Sequence, residues 1–217
     1  VNHFVLRPAL TAVAAIACFS IVACRGDSPA RDLTEAEKQA AHVKDVVAAG
    51  GTVDSIIPVA EALQRFRADL PKQDTLSHAS ASRGALVQRL AAALMASDTS
   101  ALNAMVLSRA EFAWLFYEDS PLSRPPYEAP PALLWSQILV GSDDGARQLV
   151  NRLGGKTITV SAFTCPNPPE VEGRHTLHKR CTVRFSVPGE KPLEGNLFGS
   201  IIERDGRFKF IGLGNRI

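Results

Sequence analysis

Charge of one sign, cysteine and recognisable catalytic motifs are all in short supply here. The 24 Lys and Arg nearly balance the 22 Asp and Glu, so the chain lacks the clustered cations on which nucleic-acid binding rests. Four cysteines among 217 residues are too few for a fold held mainly by disulfides. There is no phosphate-binding loop. Gly154-Gly155-Lys156-Thr157 lacks that motif's first glycine and leads into a strand pattern instead of a helix. No nucleophile elbow occurs, no internal repeat is visible, and no residue pattern demands a cofactor. What is present is apolar surface: 46% of the residues are hydrophobic, enough for a core and too much for a wholly disordered chain.

Part of that apolar content is an N-terminal leader. His3 and Arg7 precede an uncharged run from Ala9 to Cys24. At about 1.5 Å per residue the run spans roughly 24 Å, short of the ~30 Å hydrocarbon core. A basic start, an apolar middle and small residues at the end describe a secretory signal peptide. The run closes on Ile21-Val22-Ala23-Cys24, which resembles the lipobox of bacterial lipoprotein precursors. The resemblance covers only the leader. It implies cleavage before Cys24, lipid on its sulfur, and a chain anchored to a membrane without spanning it. Arg25 in place of aspartate points, on the enteric sorting rule, to the periplasmic face of an outer membrane. The expected organisation is a signal peptide over 1–23, a tether over 24–31, a helical segment over 32–82 and an α+β domain over 83–217.

With Cys18 and Cys24 assigned to the leader, Cys165 and Cys181 remain, and in an oxidising compartment they are expected to form a disulfide. If they stand opposite each other on antiparallel strands, Phe163 faces Val183 and Ser161 faces Phe185. His175 and His178 lie between them, so a tetrahedral zinc site is the alternative, with free thiols a third.

Helical spacing fills the first two thirds of the chain. Thr34 and Glu37 form a capping box ahead of Ala36, Ala40, Val43 and Val47. A stripe of Ile56, Val59, Leu63, Phe66 and Leu70 predicts a second helix, and Leu86, Leu90 and Leu94 a third. Asp98 caps a short fourth. Residues 111–117 read both ways: Ser108 and Glu111 match a capping box, while alternating Phe112, Trp114 and Phe116 suit a strand. Two more helices are expected, one from Pro131 to Val140 and one capped by Ser142. After Gly155 the period becomes two, predicting strands at 157–162, 181–187, 197–204 and 207–213, with Pro166 to His178 as a loop. Asp205-Gly206 marks a hairpin. Helices followed by about four antiparallel strands give an α+β fold.

From Arg83 onward this order resembles the nuclear transport factor 2-like superfamily, on the helix ending in Ser97-Asp98-Thr99, the short Ala101 to Leu107 helix, the aromatic segment and the strand series. The resemblance implies a cone-shaped domain with a curved sheet and admits isomerase- or cyclase-like chemistry, for which Glu111 would be the base if its segment were a strand. Tyr117 and Tyr127 fall outside the matching catalytic positions. A binding role is therefore the expectation: a small apolar ligand or an envelope protein partner, with Trp114, Tyr117 and Trp135 at the pocket. Asp143-Asp144 read as first-turn acids that complement the dipole of the helix capped by Ser142, with a bound cation the alternative, and Glu118-Asp119 as a solvated loop. Arg174, His175, His178, Lys179, Arg180 and Arg184 read as a solvated loop and strand edge, with contact to anionic lipid or polymer the alternative.

Overall fold

The computed structural model describes residues 34–51 and 57–214; the leader, Cys24 and the tether lie outside the described residues. By its contacts the chain divides into two units, 1–55 and 56–217. In the first, helix α1 (Glu35–Ala48) starts as its capping box predicts: Thr34 Oγ1 accepts from Glu37 N–H at 3.3 Å, and Glu37 Oε2 accepts from Thr34 N–H at 2.8 Å. Gly50, at φ +80°, follows its end in the left-handed conformation that favours glycine.

The second unit is α+β. Its helices are α2 (Val59–Arg67), α3 (Arg83–Met95), α4 (Thr99–Ala104), α5 (Arg109–Glu111) and α6 (Pro131–Leu153). Helix α2 packs against α6 and the aromatic segment, so it belongs with this unit although the sequence grouped it with the N-terminal helices. Ser82 Oγ caps α3 and Asp98 Oδ1 caps α4, and Leu86, Leu90 and Leu94 are fully buried, as their stripe predicts. The two helices expected around residue 141 are one continuous helix of 23 residues. Ser142 does not cap, because its hydroxyl oxygen accepts the Leu213 N–H at 3.2 Å. Gly141 lies in the interior of this helix at a cost of about 1 kcal/mol relative to alanine.

Among the described residues seven strands make two antiparallel sheets, β1-β4-β5 and β2-β3-β6-β7. They are β1 (Thr159–Thr164), β2 (Glu170–Glu172), β3 (His175–His178), β4 (Thr182–Ser186), β5 (Leu193–Gly195), β6 (Ile201–Arg204) and β7 (Arg207–Phe210). Asp205-Gly206 joins β6 to β7 as expected. The stretch expected as a loop before His178 instead forms the β2–β3 hairpin, turning at Gly173 with φ +59°. Its period-two signal is only a few residues long and sits behind three prolines.

The four-stranded sheet separates two apolar cores, because neighbouring residues on a strand point to opposite faces. Ile201 and Phe210 join Leu86, Leu90, Leu94, Val183 and Phe185 on one side. Ile202 and Leu177 join Leu63, Phe66, Phe112, Phe116, Tyr117 and Leu134 on the other.

Cys165 and Cys181 are bonded, with Cα atoms 4.1 Å apart. The register places Phe163 against Val183 as expected, but a bulge between Val160 and Ala162 sets Val160, not Ser161, against Phe185. The displaced Ser161 hydroxyl donates to the Arg184 carbonyl at 3.2 Å. Replacing both cysteines with alanine is expected to cost about 3 kcal/mol of loop-closure stabilisation. Urea unfolding measures this, and an unchanged midpoint would show that the bridge constrains nothing.

Candidate functional site

Glu111 organises the region between α2, α5 and the four-stranded sheet. The helical reading of its segment holds: Ser108 Oγ accepts from Glu111 N–H at 3.2 Å and Glu111 Oε2 accepts from Ser108 N–H at 2.7 Å. The same carboxylate accepts from Ser77 N–H at 2.6 Å, from the Ser77 hydroxyl at 2.9 Å and from Lys209 Nζ at 2.8 Å. The side chains of Glu111 and Lys209 are 0% and 2% exposed. Burial by itself would push Glu111 up, but donors from Lys209, Ser108 and Ser77 outweigh it and hold the carboxyl below the usual range. Burial likewise pushes Lys209 down, with Glu111 pulling it partly back. A carboxylate so saturated is a structural pin, and the base role implied for it on a strand does not fit this geometry.

Beyond Glu111 the helix widens into a π-turn (Phe112–Phe116) and tightens into a 3₁₀ turn (Tyr117–Asp119). The strand-like alternation of Phe112, Trp114 and Phe116 does not mark one buried face here, because Ala113 and Leu115 between them are buried too. Turns of the π type often occur at functional sites. Here the widening leaves Phe112, Phe116 and Tyr117 in the core and Trp114 half-buried. Trp114 and Glu118 face Ala60, Leu63, Gln64, Arg67 and Ala68 of α2 and its end across a cleft of about 430 Å³. The Arg67 guanidinium lies 4.3 Å over the Trp114 ring, donates twice to the Ala113 carbonyl at 2.6 and 3.0 Å, and pairs with Glu118 at 2.9 Å.

Of the three residues expected at a pocket, Trp114 alone lines this cleft. Tyr117 is 1% exposed and its hydroxyl donates to the Ala129 carbonyl at 2.6 Å, while burial pushes its phenol up. Trp135 packs on Phe112, ring centroids 5.5 Å apart.

The opposite side of the segment is polar and buried. His175 stacks on Phe116 at 5.2 Å with fully buried ring atoms, beside Asp119, Glu172 and Arg204. Asp119 is therefore not the solvated loop acid its sequence context suggests. Its Oδ2 accepts from Arg174 N–H at 3.1 Å, and a Cβ at Gly173 would run into its carboxylate.

The zinc alternative is overturned. Both sulfurs are used in the disulfide, and His175 and His178 point to opposite faces of β3, His178 bonding Glu203 at 2.9 Å. The basic cluster is dispersed among acids, with Arg174 on Asp205 at 3.5 Å, Lys179 on Glu170 at 2.6 Å and Arg184 on Glu194 at 2.7 Å. Asp143 and Asp144 sit mid-helix on exposed surface, where Asp144 pairs with Arg147.

No family model, curated protein or solved structure matches this chain. Among the described residues no helix is long and apolar enough to cross a membrane, and no group of three or more His, Cys, Asp or Glu is placed to hold a metal ion.

The sequence reading passed over Arg67 and Arg204, whose partners Ala113, Glu118, Leu115 and Asp119 lie far away in the chain, and Glu172, whose neighbours His175 and Lys179 fall in a stretch read as a loop. A basic residue in the last turn of α2 was the one local hint.

Glu111→Gln leaves the Lys209 ammonium buried without a counter-charge, and a loss of about 3–5 kcal/mol is expected in denaturant unfolding. Because its folded pKa is depressed, the contribution of Glu111 is complete above the ordinary value of about 4.3 and is lost as pH falls through the folded one. Stability of the wild type measured from pH 6 to pH 2 should therefore fall more steeply than that of Glu111→Gln; parallel curves would contradict the pin.

Proposed function

We propose that this chain is a lipid-anchored cell-envelope protein whose α+β unit binds a small apolar ligand, or an apolar side chain of an envelope partner, in the Trp114 cleft. The observation carrying this reading is the cleft itself. Its volume falls within the ~300–1,000 Å³ of small-molecule sites. Ala60, Leu63, Ala68 and the Trp114 ring supply apolar walls, and Gln64, Arg67 and Glu118 a polar rim. A binding role is favoured over isomerase- or cyclase-like chemistry because the charged pair at the rim is already engaged: Arg67 is committed to Ala113 and Glu118, and Glu111 is sealed against Lys209. Anchorage rests on the Ile21-Val22-Ala23-Cys24 resemblance, with the periplasmic face of an outer membrane as the expected location.

Mass spectrometry of protein purified from its native envelope tests both halves. The expected species starts at Cys24, carries diacylglycerol on its sulfur and an acyl group on its amine, and brings an apolar ligand with it. Ala60→Trp, which fills the cleft from an exposed position of α2, should lower co-purifying ligand at least about tenfold, the equivalent of 1.4 kcal/mol. A retained leader would contradict the anchor. Equal ligand in Ala60→Trp would contradict the cleft.

A further inference from the structure

The β2–β3 hairpin lies against the segment that walls the cleft, and it does so through a buried histidine that no hydrogen bond serves. Neither ring nitrogen of His175 has a hydrogen-bond partner. Nδ1 is 3.5 Å from Asp119 Oδ2 and Nε2 is 3.9 Å from Glu172 Oε2. Arg204, on the adjacent strand, leaves its Nε buried and unbonded, while its Nη1 donates to the Leu115 carbonyl at 3.2 Å. Unmatched buried polar atoms cost ~1–3 kcal/mol each and are uncommon in folded proteins. Three of them around one imidazole mark a place where the docked state is poised. The hairpin is also held by the pairing of β3 with β6 and by buried Leu177, so the latch acts on the remaining contacts with residues 112–119, among them the Arg174 N–H on Asp119 and the missing side chain of Gly173 that lets that carboxylate approach.

We propose that His175 is a proton-operated latch: neutral, it keeps the β2–β3 hairpin docked on residues 112–119, and protonation releases the hairpin and loosens the Trp114 cleft. The regulatory half rests on the cleft being the binding site. Coupling is expected because one short segment serves both sides: Phe116 and Asp119 meet the hairpin, while Trp114 and Glu118 wall the cleft.

Charged groups face the imidazole from every packed element. Asp119 comes from the 3₁₀ turn, with Arg124 behind it at 4.0 Å. Glu172 comes from β2, with Lys179 3.8 Å away and Glu170 near the same lysine. Arg204 comes from β6, 3.7 Å from Asp119 and 3.9 Å from Asp205, which also holds Arg174. Burial is the main effect pushing the imidazole down; Asp119 pulls it up and Arg204 pushes it down again, leaving it below its ordinary value. A released, hydrated imidazole takes its proton near about 6.5. The undocked hairpin therefore binds more protons below that value, and docking weakens as pH falls. Glu172 acts with the opposite sign: burial raises it, so its proton uptake favours docking while removing one of the two carboxylates that could serve an imidazolium.

Amide hydrogen exchange of the full chain between pH 7 and pH 5, corrected for intrinsic rates, tests the latch. Protection over residues 170–178 should fall by up to about tenfold per pH unit, the ceiling for one proton, while β1 and β4 keep theirs. His175→Phe preserves the ring stack and should abolish the pH dependence, with His175→Gln as the second variant should the larger ring not fit. Glu172→Gln should retain the release. Protection that rises on acidification, or falls equally in His175→Phe and His175→Gln, overturns the latch. Acrylamide quenching of Trp114 in a Trp135→Phe background should increase over the same pH range; hairpin release without it overturns the regulation of the cleft. Neither readout uses a ligand, so failure of the latch is separable from failure of the binding reading, which the Ala60→Trp comparison decides.

Discussion

A single buried ion pair fixes where the aromatic segment starts in this unit. Glu111 and Lys209 join residues 98 positions apart with no solvent around them. Through Ser77 and Ser108 the same carboxylate also fixes the loop before α3 and the start of α5. A buried pair of this kind need not stabilise a fold more than apolar residues of the same shape would, yet breaking it is costly because one charge is stranded. Its contribution here is positional. Four donors around one carboxylate allow the helix that follows to leave in only one direction.

That helix is the aromatic segment, and its π-turn gives it two working sides. Toward α2 it presents Trp114 and Glu118, with Arg67 bridging the two. Toward the sheet it presents Phe116 and Asp119 to His175 and Arg204. The apolar core on that side, from Leu63 and Phe66 to Leu177 and Ile202, gives the segment something to lean on, whereas the ion pair tells it where. Open apolar surface lies on one side of the segment and imperfectly matched polar atoms on the other, which is why the proposed ligand cleft and the proposed latch share it.

Local signals in the sequence translated well. The capping boxes at Thr34 and Ser108, the α3 leucine stripe, the Asp205-Gly206 hairpin and the opposition of Cys165 to Cys181 all depend on neighbours a few residues away or on strand register, and each is present in the fold. Long-range partners were not legible. Gly141-Ser142 looks like a helix end followed by a cap until Leu213 claims the serine. Asp119 looks like a solvated loop acid until Arg174 arrives from outside, whereas Glu118 beside it stays exposed. The cleft showed itself only through Trp114, because its other wall is an ordinary face of α2, and the aromatic alternation suggested a strand although the residues between the aromatics are buried as well.

Amide hydrogen exchange in Lys209→Met tests most directly whether the ion pair positions the segment. Methionine keeps the buried side chain apolar and close in length, but removes the cation from Glu111. The account predicts loss of protection concentrated over residues 108–119 and at Ser77, with α3, β1 and β4 protected as in the wild type. Protection unchanged over 108–119, or lowered evenly across the whole unit, would contradict it.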